Sequence, residues 1–158
     1  MNFNINSFTA KIIRDGKLND AKIETVQREN ELDLFISAVN DKPRFVELFW
    51  KAESNPDFLV LGDAWERSYG DLHFRKLSEN NRDMPWYFIT TNKKESFCFG
   101  VKTGANSFVS FRYNEDGISA LVDCRNGGNG VHLCGRKLCL ATFIFEQYDS
   151  GNVLSVLR

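Results

Sequence analysis

Bulky apolar residues recur at every second position in several short stretches, and that period limits what this chain can fold into. From Glu31 to Asn40, Leu32, Leu34, Ile36 and Ala38 share one parity. From Arg44 to Trp50, Phe45, Glu47 and Phe49 alternate with Val46, Leu48 and Trp50. Successive side chains of a strand point to opposite faces, so stretches like these bury one face against a core. Between them, Asp41, Lys42 and Pro43 read as a turn. Phe58 to Leu61 is a short apolar run that stops at Gly62, and Phe97 to Val101 is another strand candidate. Trp86 to Thr91 and Leu138 to Tyr148 carry the aromatic and β-branched residues that strands favour. Ser107 to Tyr113 and Ile118 to Cys124 flank Asn114 to Gly117, where Asp116-Gly117 offers the positive φ of a tight hairpin turn. Ser54 to Asp57 and Ser78 to Pro85 read as loops, and strong helix signals are missing. Short strands at this spacing predict an all-β fold: two packed antiparallel sheets in one sandwich domain over residues 1–158.

Composition narrows the function. The 158 residues include fourteen phenylalanines, enough for a real core. Twenty basic and twenty-one acidic residues leave a net charge of −1, with no block of like charge. A general nucleic-acid binder needs a basic stripe to displace counterions, so the charge argues against that class but not against a neutral ligand. No apolar run approaches the roughly 20 residues of a membrane helix. The N-terminus, Met1 to Asn6, has neither a basic nor an apolar leader segment, which predicts a cytoplasmic location. The four cysteines, Cys98, Cys124, Cys134 and Cys139, are then expected as buried free thiols. Cys124, His132 and Cys134 lack the spacing of a zinc finger or ribbon, so neither metal nor cofactor is expected. Val153 to Arg158 reads as an element just begun, which predicts a longer native chain.

Three segments have residues suited to chemistry. Leu61 to Leu72 places Asp63, Trp65, Glu66, Arg67, Tyr69 and Asp71 between Gly62 and Gly70. Carboxylates accept paired hydrogen bonds from sugar hydroxyls, Arg donates in a fixed fork, and a Trp ring covers the apolar face of a pyranose. The structural alternative is a loop pinned by an Arg67 ion pair with Trp65 in the core. A self-contained glycosidase would need two of these acids about 5–5.5 Å or 6.5–9.5 Å apart across one bond, a distance no spacing supplies. Asp123 to Gly135 holds a glycine-rich turn at Gly127, Gly128 and Gly130 without the Lys-Ser/Thr pair of a P-loop. There Asp123 either pairs with Arg125 to fix the turn, or one of the two meets a ligand. Met84 to Phe88 is either an aromatic platform or a strand feeding the core. His73 and His132 are isolated.

Leu61 to Leu72 resembles the N-terminal region of bacterial melibiase-like glycoside hydrolases. So, in the same order, do Pro85-Trp86-Tyr87-Phe88, Gly100-Val101-Lys102-Thr103-Gly104 and Asp123-Cys124-Arg125-Asn126-Gly127-Gly128. The resemblance covers roughly residues 45 to 158. It implies a supersandwich-like β-sandwich that precedes a (β/α)8 barrel and docks on it. The catalytic carboxylates would lie on that barrel, whose typical length of about 250 residues this chain does not contain. It also implies that the sandwich lends a loop to the sugar pocket, here Asp63, Trp65, Glu66 and Arg67 with Tyr69 and Asp71 beside them. One departure follows Phe108, where a Trp is expected and Phe111-Arg112-Tyr113 stand instead. Three functions are therefore in play. They are a non-catalytic domain completing a galactoside pocket, a stand-alone carbohydrate-binding module, and an interface domain whose Trp and Arg residues drive self-association.

Overall fold

The computed structural model describes residues 3–52, 55–65, 73–92, 94–149 and 151–152. Its strands form two antiparallel sheets. The smaller sheet orders β1 (Phe8–Asp15), β4 (Lys42–Trp50), β11 (Gly117–Asp123), β10 (Phe108–Asn114) and β7 (Met84–Pro85). The larger orders β2 (Lys22–Arg28), β3 (Glu31–Ser37), β12 (Lys137–Tyr148), β9 (Ser96–Val101), β8 (Tyr87–Thr91), β5 (Leu59–Gly62) and β6 (Arg75–Lys76). This is the expected all-β two-sheet sandwich.

Alternation fills the interior. Val46, Leu48 and Trp50 of β4, Val109, Phe111 and Tyr113 of β10, and Ile118, Ala120 and Val122 of β11 are buried. From the larger sheet come Leu32, Leu34, Ile36, Phe88, Phe97, Phe99 and Phe143. Rings cross between the sheets, with Phe88 and Phe111 5.6 Å apart and Trp50 and Phe143 also 5.6 Å apart, both edge-on. Each fully buried ring or branched side chain contributes about 1.5–3 kcal/mol. The one polar atom of the Trp50 ring is satisfied inside, since Nε1 donates to the Ile5 carbonyl at 2.7 Å.

The expected hairpin is present. Asn114 faces Gly117, and the Asn114 carboxamide oxygen accepts from the amides of Asp116 and Gly117 at 3.0 and 3.3 Å. Gly117 has φ +143°, and a Cβ there would lie 2.3 Å from the Trp50 carbonyl oxygen.

The structure departs from the sequence reading in four places. Lys42 and Pro43 begin β4 rather than making a turn. Pro43 sits at the strand start beside a bulge in β1, where a missing amide costs little, and its carbonyl accepts from Val131 at 2.8 Å. Residues 78–85 include part of a 3-10 turn (Leu77–Glu79) and strand β7, with Leu77 and Met84 buried, so this stretch is not simply loop. Strands β1 and β2 had no clear signal. Both are sheet edges, and β2 exposes all but one of its side chains, so polarity has nothing to alternate against. Finally, Cys134 is exposed, against the expectation of buried thiols, while Cys98, Cys124 and Cys139 are at least half-buried, and all four are free. Burial pushes the Cys98 and Cys124 thiols up to about 11. Among the described residues, no cluster of three or more metal-ligating side chains occurs and no helix is long and apolar enough to cross a membrane. The expectation about Val153 to Arg158 falls outside the described residues.

Candidate aromatic binding site

The site begins where β5 runs over β7. A Cβ on Gly62 would lie 2.2 Å from Cγ of the buried Met84, so only glycine lets the strand pass this closely. The Gly62 carbonyl accepts from Arg82 Nη2 at 2.8 Å. Asp63 follows and is buried, 1% exposed. Its amide donates to the Tyr87 carbonyl at 3.2 Å, and its carboxylate accepts from the Ala64 amide at 2.9 Å. Asp63 therefore fastens the chain just before Trp65.

Trp65 is 54% exposed, which overturns the reading that places it in the core. One face of its ring stacks on Phe108, with centroids 4.7 Å apart and planes 15° apart. Phe108 is itself outward-facing, and Trp86 meets its ring at 4.4 Å in an edge-on contact. Three rings thus form a continuous aromatic row on the surface. Trp86 takes the left-handed conformation, φ +68°, a costly choice for a bulky residue. Its backbone is held from both sides, since its amide donates to Val109 of β10 at 3.0 Å and its carbonyl accepts from Val101 of β9 at 3.1 Å. Residue 86 is therefore the point at which the chain crosses from the smaller sheet to the larger. The 84–88 segment feeds the core through Met84 and Phe88, and Trp86 and Tyr87 remain partly exposed. Beyond Trp86 lies an open groove of about 470 Å³, bounded by Trp86, Tyr87 and residues 101–105.

Asp123 lies directly opposite Phe108 across the hairpin and opposite Phe45 on its other side. Antiparallel partners share a face, so Asp123 is next to the aromatic row. Its charge is spent locally. Arg125 Nε donates to Oδ1 at 2.9 Å and Nη2 to Oδ2 at 2.7 Å, while the guanidinium lies 4.5 Å from the Phe45 ring centre. Burial pushes the Asp123 carboxyl up, but the hydrogen bonds and charge of Arg125 outweigh this and hold it below the usual range. The glycine turn closes on itself through paired Asn126 and Asn129 backbone bonds of 2.9 and 3.2 Å. The pairing alternative read for Asp123 and Arg125 is therefore the observed one.

Glu66, Arg67, Tyr69 and Asp71 lie outside the described residues. Of the residues singled out in the sequence, the structure stacks Trp65 on Phe108, the strand partner of Asp123, pairs Asp123 with Arg125, and buries Asp63. Phe108 was missed as a site residue. Its signal was parity: it shares the outward face of β10 with Ser110 and Arg112, while Val109, Phe111 and Tyr113 point inward. His132 is not alone, since its Nδ1 lies 3.4 Å from the Cys134 thiol. No protein-family model and no curated protein matches this chain.

Proposed function

We propose that this chain is a non-catalytic sugar-binding domain of a melibiase-like, α-galactosidase-type glycoside hydrolase, and that it lends the Trp65 loop to a galactoside pocket. The observation that carries this reading is Trp65 itself, backed on one face by Phe108 and open to solvent on the other. A Trp ring packed from behind is a ready platform for the C–H face of a pyranose, with little side-chain entropy left to lose. Hydroxyl recognition would fall to Glu66, Arg67, Tyr69 and Asp71. The acid and nucleophile would belong to a downstream (β/α)8 barrel, and the setting would be cytoplasmic. Burial of Asp63 and pairing of Asp123 support a binding role over hydrolysis by this chain alone.

A second reading has its own observation. Phe49 and Leu121 are exposed on the same outward sheet face as Phe108, which suits packing against the barrel or a second copy. Calorimetric titration of the 158-residue chain with galactose, melibiose and other glycosides tests the first reading. Millimolar or tighter binding that Trp65→Ala abolishes and Trp65→Phe partly retains is the expected result. Absence of binding to every sugar, together with self-association that Trp65→Ala disrupts, would favour the interface instead.

A further inference from the structure

The outward face of the smaller sheet is built in rows. Strand register sets Glu47 of β4 beside Leu121 of β11 and Ser110 of β10, and the next row holds Phe49, Ser119 and Arg112. The two serines lie on a diagonal, about 7–8 Å apart by ordinary sheet geometry. Short side chains set among long ones leave a trench. It is an open groove of about 390 Å³ that reaches down to Leu48 and Ala120. We propose that this groove is a carbohydrate site in its own right, which takes one neutral sugar unit. It uses no residue of the Trp65 platform, so it goes beyond the reading above and stands or falls without it.

Four observations carry it. The volume falls within the roughly 300–1,000 Å³ of small-ligand sites. The lining alternates in the way a sugar does. The Ser110 and Ser119 hydroxyls and the Glu47 carboxylate can exchange hydrogen bonds with ring hydroxyls, while Phe49 and Leu121, both exposed, offer apolar surface to C–H groups. The charge disfavours an anion. Arg112 is the one cation in the lining, and it is committed to Asp83, with Nε and Nη2 donating to the two carboxylate oxygens at 2.5 and 3.2 Å. That clamp uses two of the five guanidinium N–H donors, so the fork is held in place with donors left for a neutral ligand. A phosphate or carboxylate would instead meet Glu47 and Asp83, and the approach of Lys11 to Glu47 is a loose 3.9 Å from β1, outside the lining. Finally, the floor is fixed in advance. β4, β11 and β10 pair without a register break over these rows, and Ser110 sits low between them, 7% exposed. A rigid floor loses little entropy on binding.

The test titrates the 158-residue chain with galactose, glucose and mannose and with their 6-phosphates, read by backbone amide shifts. At least one neutral sugar is expected to bind with millimolar or tighter affinity and to shift the amides of residues 47–49, 110–112 and 119–121. Its 6-phosphate should bind about tenfold more weakly or worse. Ser119→Leu, which fills the trench from an outward-facing position, should remove those shifts. Glu47→Gln keeps the shape and loses the charged acceptor, and should weaken binding about tenfold. Trp65→Ala should leave the groove shifts and their affinity unchanged. If no sugar moves these amides while those around Trp65 and Phe108 respond, the groove fails and the platform stands. If the groove amides move and those around Trp65 do not, the platform fails and the groove stands. A folded Ser119→Leu that keeps the groove shifts would overturn the site, as would their loss in Trp65→Ala. The same amides shifting with protein concentration in the absence of sugar would mean that a second copy covers this face, and would overturn it too.

Discussion

The Trp65 end of the molecule and the Asp123–Arg125 turn are neighbours on one face, and both contain residues suited to sugar recognition, yet they behave in opposite ways. At the turn, the carboxylate and guanidinium are two residues apart and satisfy each other, with Phe45 beneath the cation. At the other end, Trp65 rests on Phe108 and keeps one face in solvent. Polar groups find partners within their own turn because ordering a short segment costs little. An aromatic ring can be satisfied on only one side by a neighbour, so its second face stays open unless the core takes it in. A site is therefore better sought where an aromatic is supported from behind than where charges cluster.

The largest expected effects on stability belong to the supports of the aromatic end. Trp86→Pro forces φ to about −65° where the chain needs a positive value, and it removes the amide bonded to Val109. Both sheets lose their junction, and a loss of about 3 kcal/mol or more is expected by chemical denaturation. A Trp86→Pro variant as stable as the parent would show that the crossing carries no strain. Gly62→Ala comes next. Its Cβ would enter the space of buried Met84, at a cost of about 1–3 kcal/mol. Because the same strand positions Asp63 and Trp65, quenching or shift of the tryptophan emission should change with it. Unchanged stability would mean that Met84 moves aside freely.

The parts of this fold legible in the sequence are those where one face is buried and the other is wet. β4, β10 and β11 follow that rule, so their inward residues were readable from parity. β2 exposes nearly everything and β7 is only two residues long, so neither leaves a pattern. The site was legible in the same partial way. A Trp between two glycines marked the loop, and Asp123 two residues before Arg125 allowed the pairing that is observed. Burial of Asp63 was not legible, because it follows from β5 crossing β7, where Gly62 meets Met84 twenty-two residues away. Phe108 was missed for the opposite reason: in a chain with fourteen phenylalanines, one more ring in a strand reads as core until its parity is compared with its neighbours.

Asp123→Asn sharpens the comparison from the charged side. If the pair is spent locally, sugar binding should be unchanged and the melting temperature should fall by less than about 2 °C at neutral pH, as for other partly exposed pairs. The sign with pH is fixed by the lowered carboxyl. Its contribution is complete above the unfolded value of about 3.9 and is lost as the pH falls through the lower folded value. The gap between parent and variant should therefore be open at pH 7 and close in acid, in thermal melts taken across that range. A large loss of sugar affinity in Asp123→Asn would instead place this carboxylate on the ligand.

Trp65→Ala should be the least damaging to stability of these changes and the most damaging to binding. The ring is 54% exposed and, among the described residues, its ring contact is with Phe108, which stays supported by Trp86. A surface position of this kind changes stability by about 0.5 kcal/mol or less. A structural ring would behave differently, since removing a buried Trp costs about 3–5 kcal/mol. Denaturation of Trp65→Ala beside the parent thus separates presentation from packing without any ligand. Stability within that small margin means the open face serves no internal purpose, which leaves a ligand or a partner as its use. A loss of several kcal/mol would mean that the ring holds the loop to the sandwich, and the contrast between the two ends would disappear.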